Sequence, residues 1–403
     1  MSIQTRFLSL DIFRGLTIAL MIMVNTPGSW SYVYPPLDHS KWHGCTPTDW
    51  VFPSFLFAIG LSMRFSFKPF NYTLSTDLLI KILKRGILIY LIYIVFMQFF
   101  PFYYYDKEWI MHLGRKNPVR ILGVLPRLAI CSVLGSLICL TAKQKDLPYI
   151  AAAMLLAYWG IMYFFGDAGN PYGMNPAPNQ FLGLDEKAIE AWWQTQMTSN
   201  AGFKLDMAVL GNDHIDKGEG YPFEPEGILS TLPSIVTTIL GYITGTYIQK
   251  STDKSELIKH LILAGLVCLG ISLLWDKVFP INKKLWTSSY VMYMAGVDLL
   301  ALGILTYIID HKGYTRWTFF FQVFGANAIM AYIVSEVPIV LSSRFRFMEP
   351  DGTYSGSYAW IYKHWFASWA GNMNGSLCFA IWWMLTCWVV LYIMYRNKWF
   401  LKV

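Results

Sequence analysis

The sequence predicts an all-α integral membrane protein, a polytopic bundle of about ten (10–11) transmembrane helices with two long non-cytoplasmic loops. Its 403 residues are 55% hydrophobic and 17% aromatic, and only 14% are charged. An average soluble domain carries about 25% charged residues. The apolar residues also recur in runs of about 20, the length that crosses a bilayer as a helix. Together these observations exclude a soluble enzyme, a disordered chain and a small disulfide scaffold.

The apolar runs predict ten spans within one domain that covers residues 1–403. The first run carries Asp11 and Arg14 and lacks a small-residue cleavage site after it, so it is expected to remain as a span. The aromatic stretch 358–370 contains Lys363 and His364, which favours an interfacial helix. The expected spans are 7–25, 50–67, 78–100, 119–141, 148–165, 228–248, 257–275, 286–309, 319–340 and 375–395.

The distribution of Lys and Arg predicts which side of the membrane each loop occupies. Basic residues concentrate in the short loops on the side that holds both termini, which indicates that this side is cytoplasmic. Loops 26–49 and 166–227 then lie on the opposite side, and long loops often carry function. The net charge of +7 is scattered without a basic tract, so no nucleic-acid partner is expected. The six cysteines show no CxxC spacing, so neither a disulfide framework nor a metal site is expected.

The first long loop holds the densest group of residues suited to catalysis. His39 and His43 lie four apart, between the carboxylates of Asp38 and Asp49. Histidine is the side chain best suited to accept a proton near neutral pH, and a neighbouring Asp can fix its tautomer. The alternatives are a solvated surface histidine and an Asp49 that only caps the second span. A metal site is disfavoured, because Pro47 argues against the helix that His-x-x-x-His ligation needs.

Polar residues within the apolar runs predict a polar cavity inside the bundle, because each charge there is costly unless it is paired or hydrated. Asp11 and Arg14 are three apart and can pair with each other. Arg127 has no partner nearby in the sequence, so it needs one from another helix or from an anionic ligand. The remaining polar residues of this kind are Asp298, Asn327 and Glu336.

A basic cluster at the start of the third span has two interpretations. Lys81, Lys84 and Arg85 could orient the helix by extending their charges to the interface. They could also form a phosphate-binding mouth for a cytoplasmic nucleotide-bearing donor.

Two N-terminal motifs resemble those of the heparan-α-glucosaminide N-acetyltransferase family. They are SLDIFRGLTIALMIMVNTPGSW and HSKWHGCTPTDWVFPSFLFAIGLSM, and weaker matches follow at 123–128, 223–245, 283–296 and 325–337. The long N-terminal lumenal portion of the animal enzyme has no counterpart, so a minimal, bacterial-type member in the inner (plasma) membrane is expected. The resemblance implies a transmembrane acetyltransferase that takes the acetyl group from cytoplasmic acetyl-CoA, without a metal. The resemblance also implies that the acceptor is the amine of a glucosamine-terminated saccharide. It further implies that the protein contacts membrane lipid and forms a homodimer.

The resemblance also implies roles for individual residues. The family pattern His-x-x-Trp-x-Gly-x-Thr-x-x-Asp places the catalytic histidine at His39, with Asp49 to orient it. His39 then acts as general base or as a transient acetyl carrier, and the sequence leaves both routes open. The other expected residues are Asn25 and Asn327 as oxyanion donors, Arg14, Lys84, Arg85 and Arg127 for acetyl-CoA, and Trp42, His43 and Glu226 for the acceptor.

Two rival functions stay open at this point. The same architecture could O-acetylate a surface or periplasmic glycan. A sugar or ion transporter could instead use Arg127, Asp298 and Glu336 to bind its substrate without chemistry. A transporter of this kind would show repeated, broken helices with charges at the midplane, and the sequence shows no such pair.

Overall fold

The computed structural model describes residues 7–98, 102–105, 108–111, 119–173, 186–218, 221–342 and 345–400. Within them the chain is mainly helical. In chain order the helices are α1 Leu8–Asn25, α2 Val51–Ser66, α3 Thr76–Ile92, α4 Val124–Thr141, α5 Leu147–Phe165, α6 Glu186–Thr198, α7 Ala201–Val209, α8 Thr231–Lys250, α9 Lys254–Asp276, α10 Ser288–Leu305, α11 Thr318–Ala326, α12 Ala328–Ser342, α13 Ser357–Ile361, α14 Ser368–Ala370 and α15 Asn372–Arg396.

Short irregular helices and two hairpins complete the described chain. Single π-helical stretches extend α3 and α10, at Tyr93–Gln98 and Thr306–His311, and a third, Tyr362–Ala367, joins α13 to α14. The antiparallel hairpins pair β1 Phe102–Tyr105 with β2 Glu108–Met111 and β3 Arg346–Met348 with β4 Tyr354–Gly356. The aromatic stretch 358–370 is helical, because α13, the third π-helical stretch and α14 follow one another there.

In the part of the chain that the structure describes, six helices are long and apolar enough to cross a membrane, which agrees with the expectation of an all-α membrane protein. They are α1, α4, α5, α9, α10 with its π-helical extension, and α15. A seventh span is reached if α11 and α12 count as one, although 82° separates their axes. Helices also form at the three other expected positions, as α2, α3 and α8. Residues 99 and 100, at the end of the expected third span, lie outside the described residues.

Helix α8 is less apolar than the six spans because much of its surface faces protein rather than lipid. Its sequence TLPSIVTTILGYITGTYIQK is rich in Thr, and most of its residues are buried. Glycines let it pack closely on α2: a Cβ at Gly60 would lie 1.8 Å from the Thr238 carbonyl oxygen, and one at Gly241 2.0 Å from that of Phe57. Small residues at such contacts are typical of membrane helices. This close packing fixes α2, which carries Asp49 just before its first turn.

Candidate functional site

Asp49 is the fixed point of the site that the structure forms between α1 and α2. It belongs to the 3₁₀ turn Pro47–Trp50, which leads into α2 and closes a capping box with Thr46. Its Oδ2 accepts hydrogen bonds from the backbone N–H groups of Thr46 at 3.0 Å and Ser40 at 3.1 Å. The hydroxyl of Tyr290 on α10 donates to the backbone carbonyl of Asp49 at 2.6 Å. These bonds hold a fully buried carboxylate in one orientation.

His39 uses that carboxylate as its partner. Its Nδ1 lies 2.7 Å from Asp49 Oδ1. Since the carboxylate has no proton to give, Nδ1 must carry the hydrogen, and Nε2 is left unprotonated. The His39 side chain is 33% exposed, while that of Asp49 is 0% exposed. The structure thus brings these two residues, which the sequence singled out, into direct contact.

The charges around the pair favour a neutral imidazole next to an ionised carboxylate. Burial and the cation of Lys283 lower the pKa of His39, and they outweigh the opposing effect of Asp49. Burial raises the pKa of Asp49, but the His39 hydrogen bond and Lys283 overcome this and hold that pKa well below its usual range. A neutral histidine with a free Nε2 is the form that can accept a proton or attack a carbonyl carbon.

Lys283 is the member of the site that sequence reasoning missed. Its Nζ lies 3.0 Å from His39 Nδ1 and 3.5 Å from Asp49 Oδ1. It comes from the loop between α9 and α10, 244 positions along the chain from His39. The only signal was that it opens KKLWTSSYVMYMAG, one of the segments that carry the family resemblance.

A short backbone pairing brings the two loops together. Gly44 forms an isolated parallel bridge with Asn282, and its N–H donates to the Ile281 carbonyl at 2.8 Å. Gly44 has φ +100°, a backbone conformation that residues with a Cβ rarely adopt. The pairing sets Lys283 beside His39.

His43 has a different environment from His39. Its Nε2 donates to the Gly173 carbonyl at 3.1 Å, and its Nδ1 accepts from the Asn282 amide at 3.3 Å. Both ring nitrogens are therefore occupied by protein partners. Trp42 donates its Nε1–H to the Tyr172 carbonyl at 3.0 Å and is only 4% exposed. Both residues tie the first long loop to the second, and this favours His39 as the reactive histidine.

Glu226 lies in an ion-pair cluster centred on Arg120. The Arg120 guanidinium donates to Glu226 at 2.8 Å and to Glu224 at 2.5 Å, and it lies 3.5 Å from Asp216. Burial opposes the charge of Arg120, but the Glu224 hydrogen bond and the surrounding carboxylates raise its pKa above the ordinary value. The charge of Glu226 also acts on Lys283, so this cluster neighbours the His39 site.

Arg127 finds its partners on another segment, as the sequence required. It is 1% exposed, donates to the Gly227 carbonyl at 2.9 Å and to the Ser230 hydroxyl, and lies over the Trp286 ring at 5.2 Å. Its Nε and Nη1 are buried and find no hydrogen-bond acceptor among the residues that the structure describes. Arginine N–H groups in this state can serve a bound ligand.

A cavity inside the bundle contains two of the predicted donor-binding residues. Arg14 and Arg85 line it with Ser62 and Ser132, and apolar side chains from α2, α4 and α12 complete it. Lys84 is exposed on α3 and does not contribute to the described lining. Arg14 also pairs with Asp11 at 3.7 Å, as its spacing predicted.

The cavity reaches toward the His39 site along α2. Phe55 lines it six residues after Asp49, a rise of about 9 Å on a helix. The cavity has a volume of about 60 Å³, room for a few water molecules.

The two asparagines are not brought together by the contacts described. Asn25 is half-buried at the end of α1, on the side of the bundle where the His39 loop begins. Asn327 is 2% exposed at the break between α11 and α12, and its amide donates to the Trp399 carbonyl at 2.9 Å. The described contacts link Asn327 to the C-terminal tail, whereas Asn25 borders the loop.

The fold and site define a class of protein: an integral membrane bundle that holds a buried carboxylate, a histidine and a lysine at one end of α1 and α2. The sequence model described as heparan-alpha-glucosaminide N-acetyltransferase, catalytic, matches residues 6–184. The heparan-alpha-glucosaminide N-acetyltransferase of Mus musculus is 28% identical over 375 residues, covering 83% of this chain and 54% of the mouse protein. That of Homo sapiens is 27% identical over 374 residues, covering 83% and 53%. The chain spans about half the length of these curated relatives. Its similarity to them and to the catalytic model supports the family that the sequence motifs indicate.

Proposed function

We propose that the protein is a transmembrane N-acetyltransferase that moves an acetyl group from acetyl-CoA to the amine of a glucosamine-type sugar. The observation that carries this proposal is the contact between His39 and the buried carboxylate of Asp49 at 2.7 Å. This contact leaves Nε2 as a base at the edge of a water-accessible loop. The names of the two relatives, whose alignments cover 83% of this chain, support the reaction class.

The proposed chemistry uses the free nitrogen of His39. An amine nitrogen attacks the thioester carbonyl carbon and passes its proton to Nε2, and the CoA thiolate leaves and is protonated. In the alternative route Nε2 attacks the thioester carbonyl carbon, the C–S bond breaks and the CoA thiolate leaves and is protonated. The amine then attacks the acetyl-imidazolium, which releases Nε2 to accept the amine proton. Asp49 serves both routes, because it fixes the tautomer and stabilises the imidazolium or acetyl-imidazolium. Asn25 is our candidate for an oxyanion donor, and Asn327 is a second one in the family assignment.

We place the donor in the cavity between α1, α2, α3, α4 and α12. Arg14 and Arg85 supply the cations that a diphosphate prefers, and the mainly apolar lining suits a pantetheine arm. The cavity is too small for that arm in this conformation, so donor binding requires the helices to separate. The unpartnered N–H groups of Arg127 lie further into the bundle and are candidates to contact the arm. We place the end of the bundle with Arg14 in the cytoplasm and the His39 loop on the far side.

We propose that the acceptor binds on the side of the His39 site that lies next to Glu226. Its carboxylate suits the ammonium of a glucosamine, which must lose one proton before attack. Trp42 and His43 act in this proposal by holding the loop against Tyr172 and Gly173, since the structure engages both in protein contacts.

The first experiment measures CoA release and N-acetylated product by mass spectrometry, with purified protein, acetyl-CoA and glucosamine. We expect sugar-dependent CoA release that His39→Ala abolishes. His43→Ala is the matched control, and it should lower activity only as far as it loosens the loop. Folded protein without sugar-dependent release would refute the N-acetyltransferase, and an O-acetylated product would identify the glycan O-acetyltransferase instead.

The second experiment tests the donor cavity. Arg85→Ala should raise the KM for acetyl-CoA at least fivefold, because the side chain lines the cavity. Lys84→Ala should leave that KM within twofold, because Lys84 is exposed at the adjacent position. Equal changes in KM from the two substitutions would indicate that Arg85 only orients the helix.

A further inference from the structure

Lys283 carries a charge that lies close to both ring nitrogens of the proposed base. Its Nζ lies 3.0 Å from His39 Nδ1 and 3.4 Å from Nε2. It lies 3.5 Å from Asp49 Oδ1, and its side chain is 19% exposed. The ammonium therefore contacts the imidazole ring and its carboxylate partner at the same time.

The surrounding loop holds Lys283 in this position from both sides. Asn282 is fully buried, accepts from the Leu285 N–H at 2.9 Å and donates to His43. Trp286 is 1% exposed and has φ +53°, an uncommon conformation for a residue with a bulky side chain. Such a conformation persists only where the surrounding packing determines it, and it is concentrated at functional sites. The loop between α9 and α10 therefore has a conformation that its packing determines.

The position of the ammonium has an electrostatic consequence for His39. A cation within about 4 Å disfavours the positive charge of an imidazolium, whereas an anion favours it. The groups that face His39 are Asp49, Lys283 and Asp38, and Glu226 and Cys45 act in turn on Lys283. Asp49 by itself favours the imidazolium, whose Nε2 carries a proton. Lys283 offsets this effect of the carboxylate that orients the ring.

We propose that Lys283 is a positioning residue of the acetyl-transfer site: it keeps His39 neutral beside Asp49, so that Nε2 is free to accept a proton or an acetyl group. This inference rests on the proposed function for its purpose, but the electrostatic effect belongs to the protein alone. Lys283 also pairs with Asp49 and so offsets part of the desolvation cost of that buried carboxylate.

The test measures the titration of His39 without any substrate. Deuterium exchange at the imidazole C2 position, followed by mass spectrometry across pH, reports the pKa of each histidine in the intact protein. We expect a value below 6.5 for wild-type His39, and an upward shift of about one unit or more in Lys283→Met and Lys283→Gln. Lys283→Arg, which keeps the charge, should stay close to wild type. His260 and His364, in other parts of the structure, are internal controls for the fold.

The results separate this inference from the proposed function. A wild-type His39 value at or above 6.5, or no shift in the neutral variants, overturns the role of Lys283 even if acetyl transfer is demonstrated. If the shift is found and wild-type protein releases no CoA, the electrostatic role stands and the proposed reaction fails. Where both hold, the acid limb of the kcat/KM profile should move to higher pH in Lys283→Met by the same shift.

Discussion

Replacing Asp49 with Asn tests the site at its fixed point, because Asn has the same shape and lacks the charge. Asp49 Oδ1 faces His39 Nδ1 at 2.7 Å, and Oδ2 accepts from Thr46 N–H at 3.0 Å and Ser40 N–H at 3.1 Å. The carboxylate thus presents acceptors on both sides. An amide can present an acceptor on only one.

Each orientation of the new amide therefore fails in a different way. With its NH₂ toward His39, the ring must accept at Nδ1 and carry its proton on Nε2, so the base is lost. With its oxygen toward His39, the NH₂ meets the two backbone N–H groups and leaves them without an acceptor. An unsatisfied buried donor costs about 1–3 kcal/mol. A positioned general base contributes about 10²–10⁴-fold to rate, so kcat should fall at least a hundredfold.

The assay is amine-dependent CoA release by detergent-purified protein, with thermal unfolding measured on the same samples. Asp38→Asn is the matched control: Asp38 is exposed, and its Oδ1 accepts only the neighbouring His39 N–H at 2.8 Å among the contacts described. It should keep kcat within threefold of wild type. An Asp49→Asn protein that stays folded and retains more than a third of the wild-type kcat would refute the reasoning.

Three further outcomes follow from the same structure. Since burial and Lys283 lower the pKa of His39 and the neutral ring is the active form, kcat/KM should fall with decreasing pH at a midpoint below 6.5; a midpoint above 7 contradicts this. Arg120→Ala removes the cation that pairs with the buried carboxylate of Glu224 and the half-buried one of Glu226, and it should cost about 3–5 kcal/mol of stability. Glu224→Gln should restore part of this loss in the double variant if the ion pairs are the cause. Burial raises the pKa of Asp206 to about 7, so the folded state binds a proton that the unfolded state releases above pH 4. Its contribution should be lost as pH rises through 7, and Asp206→Asn should flatten the dependence of Tm on pH between 4 and 8.

The helices could be predicted because each span is encoded by a local run of apolar residues. Within the described residues, helices form at the positions of all ten expected spans. However, α2 and α3 are shorter than the six candidate spans, and α8 is less apolar. The break at Asn327 was not predicted, since residues 319–340 form one apolar run. Its 82° bend depends on how α11 packs against α1, where a Cβ at Gly15 would lie 1.9 Å from the Phe321 carbonyl oxygen. A contact of this kind is set by tertiary packing and leaves no periodic signal.

The site shows the same division between local and distant information. His39 and Asp49 are ten residues apart in one loop, so their partnership could be proposed from the sequence. The family pattern predicts His39 rather than His43 as the catalytic residue, and this stays a prediction. In the structure Gly173 and Asn282 contact the two ring nitrogens of His43. Lys283 could not be proposed, since its position depends on the pairing of Gly44 with Asn282. A lysine at the end of a loop has no sequence feature that separates it from a solvated one.

The most direct test of a transmembrane transfer places donor and acceptor on opposite sides of a bilayer. Glucosamine is sealed inside proteoliposomes that contain the protein, acetyl-CoA is added outside, and the lumenal sugar is analysed by mass spectrometry. The account predicts that N-acetylglucosamine accumulates in the lumen with wild-type protein and not with His39→Ala. Product that forms only when acetyl-CoA and glucosamine share one compartment would contradict it.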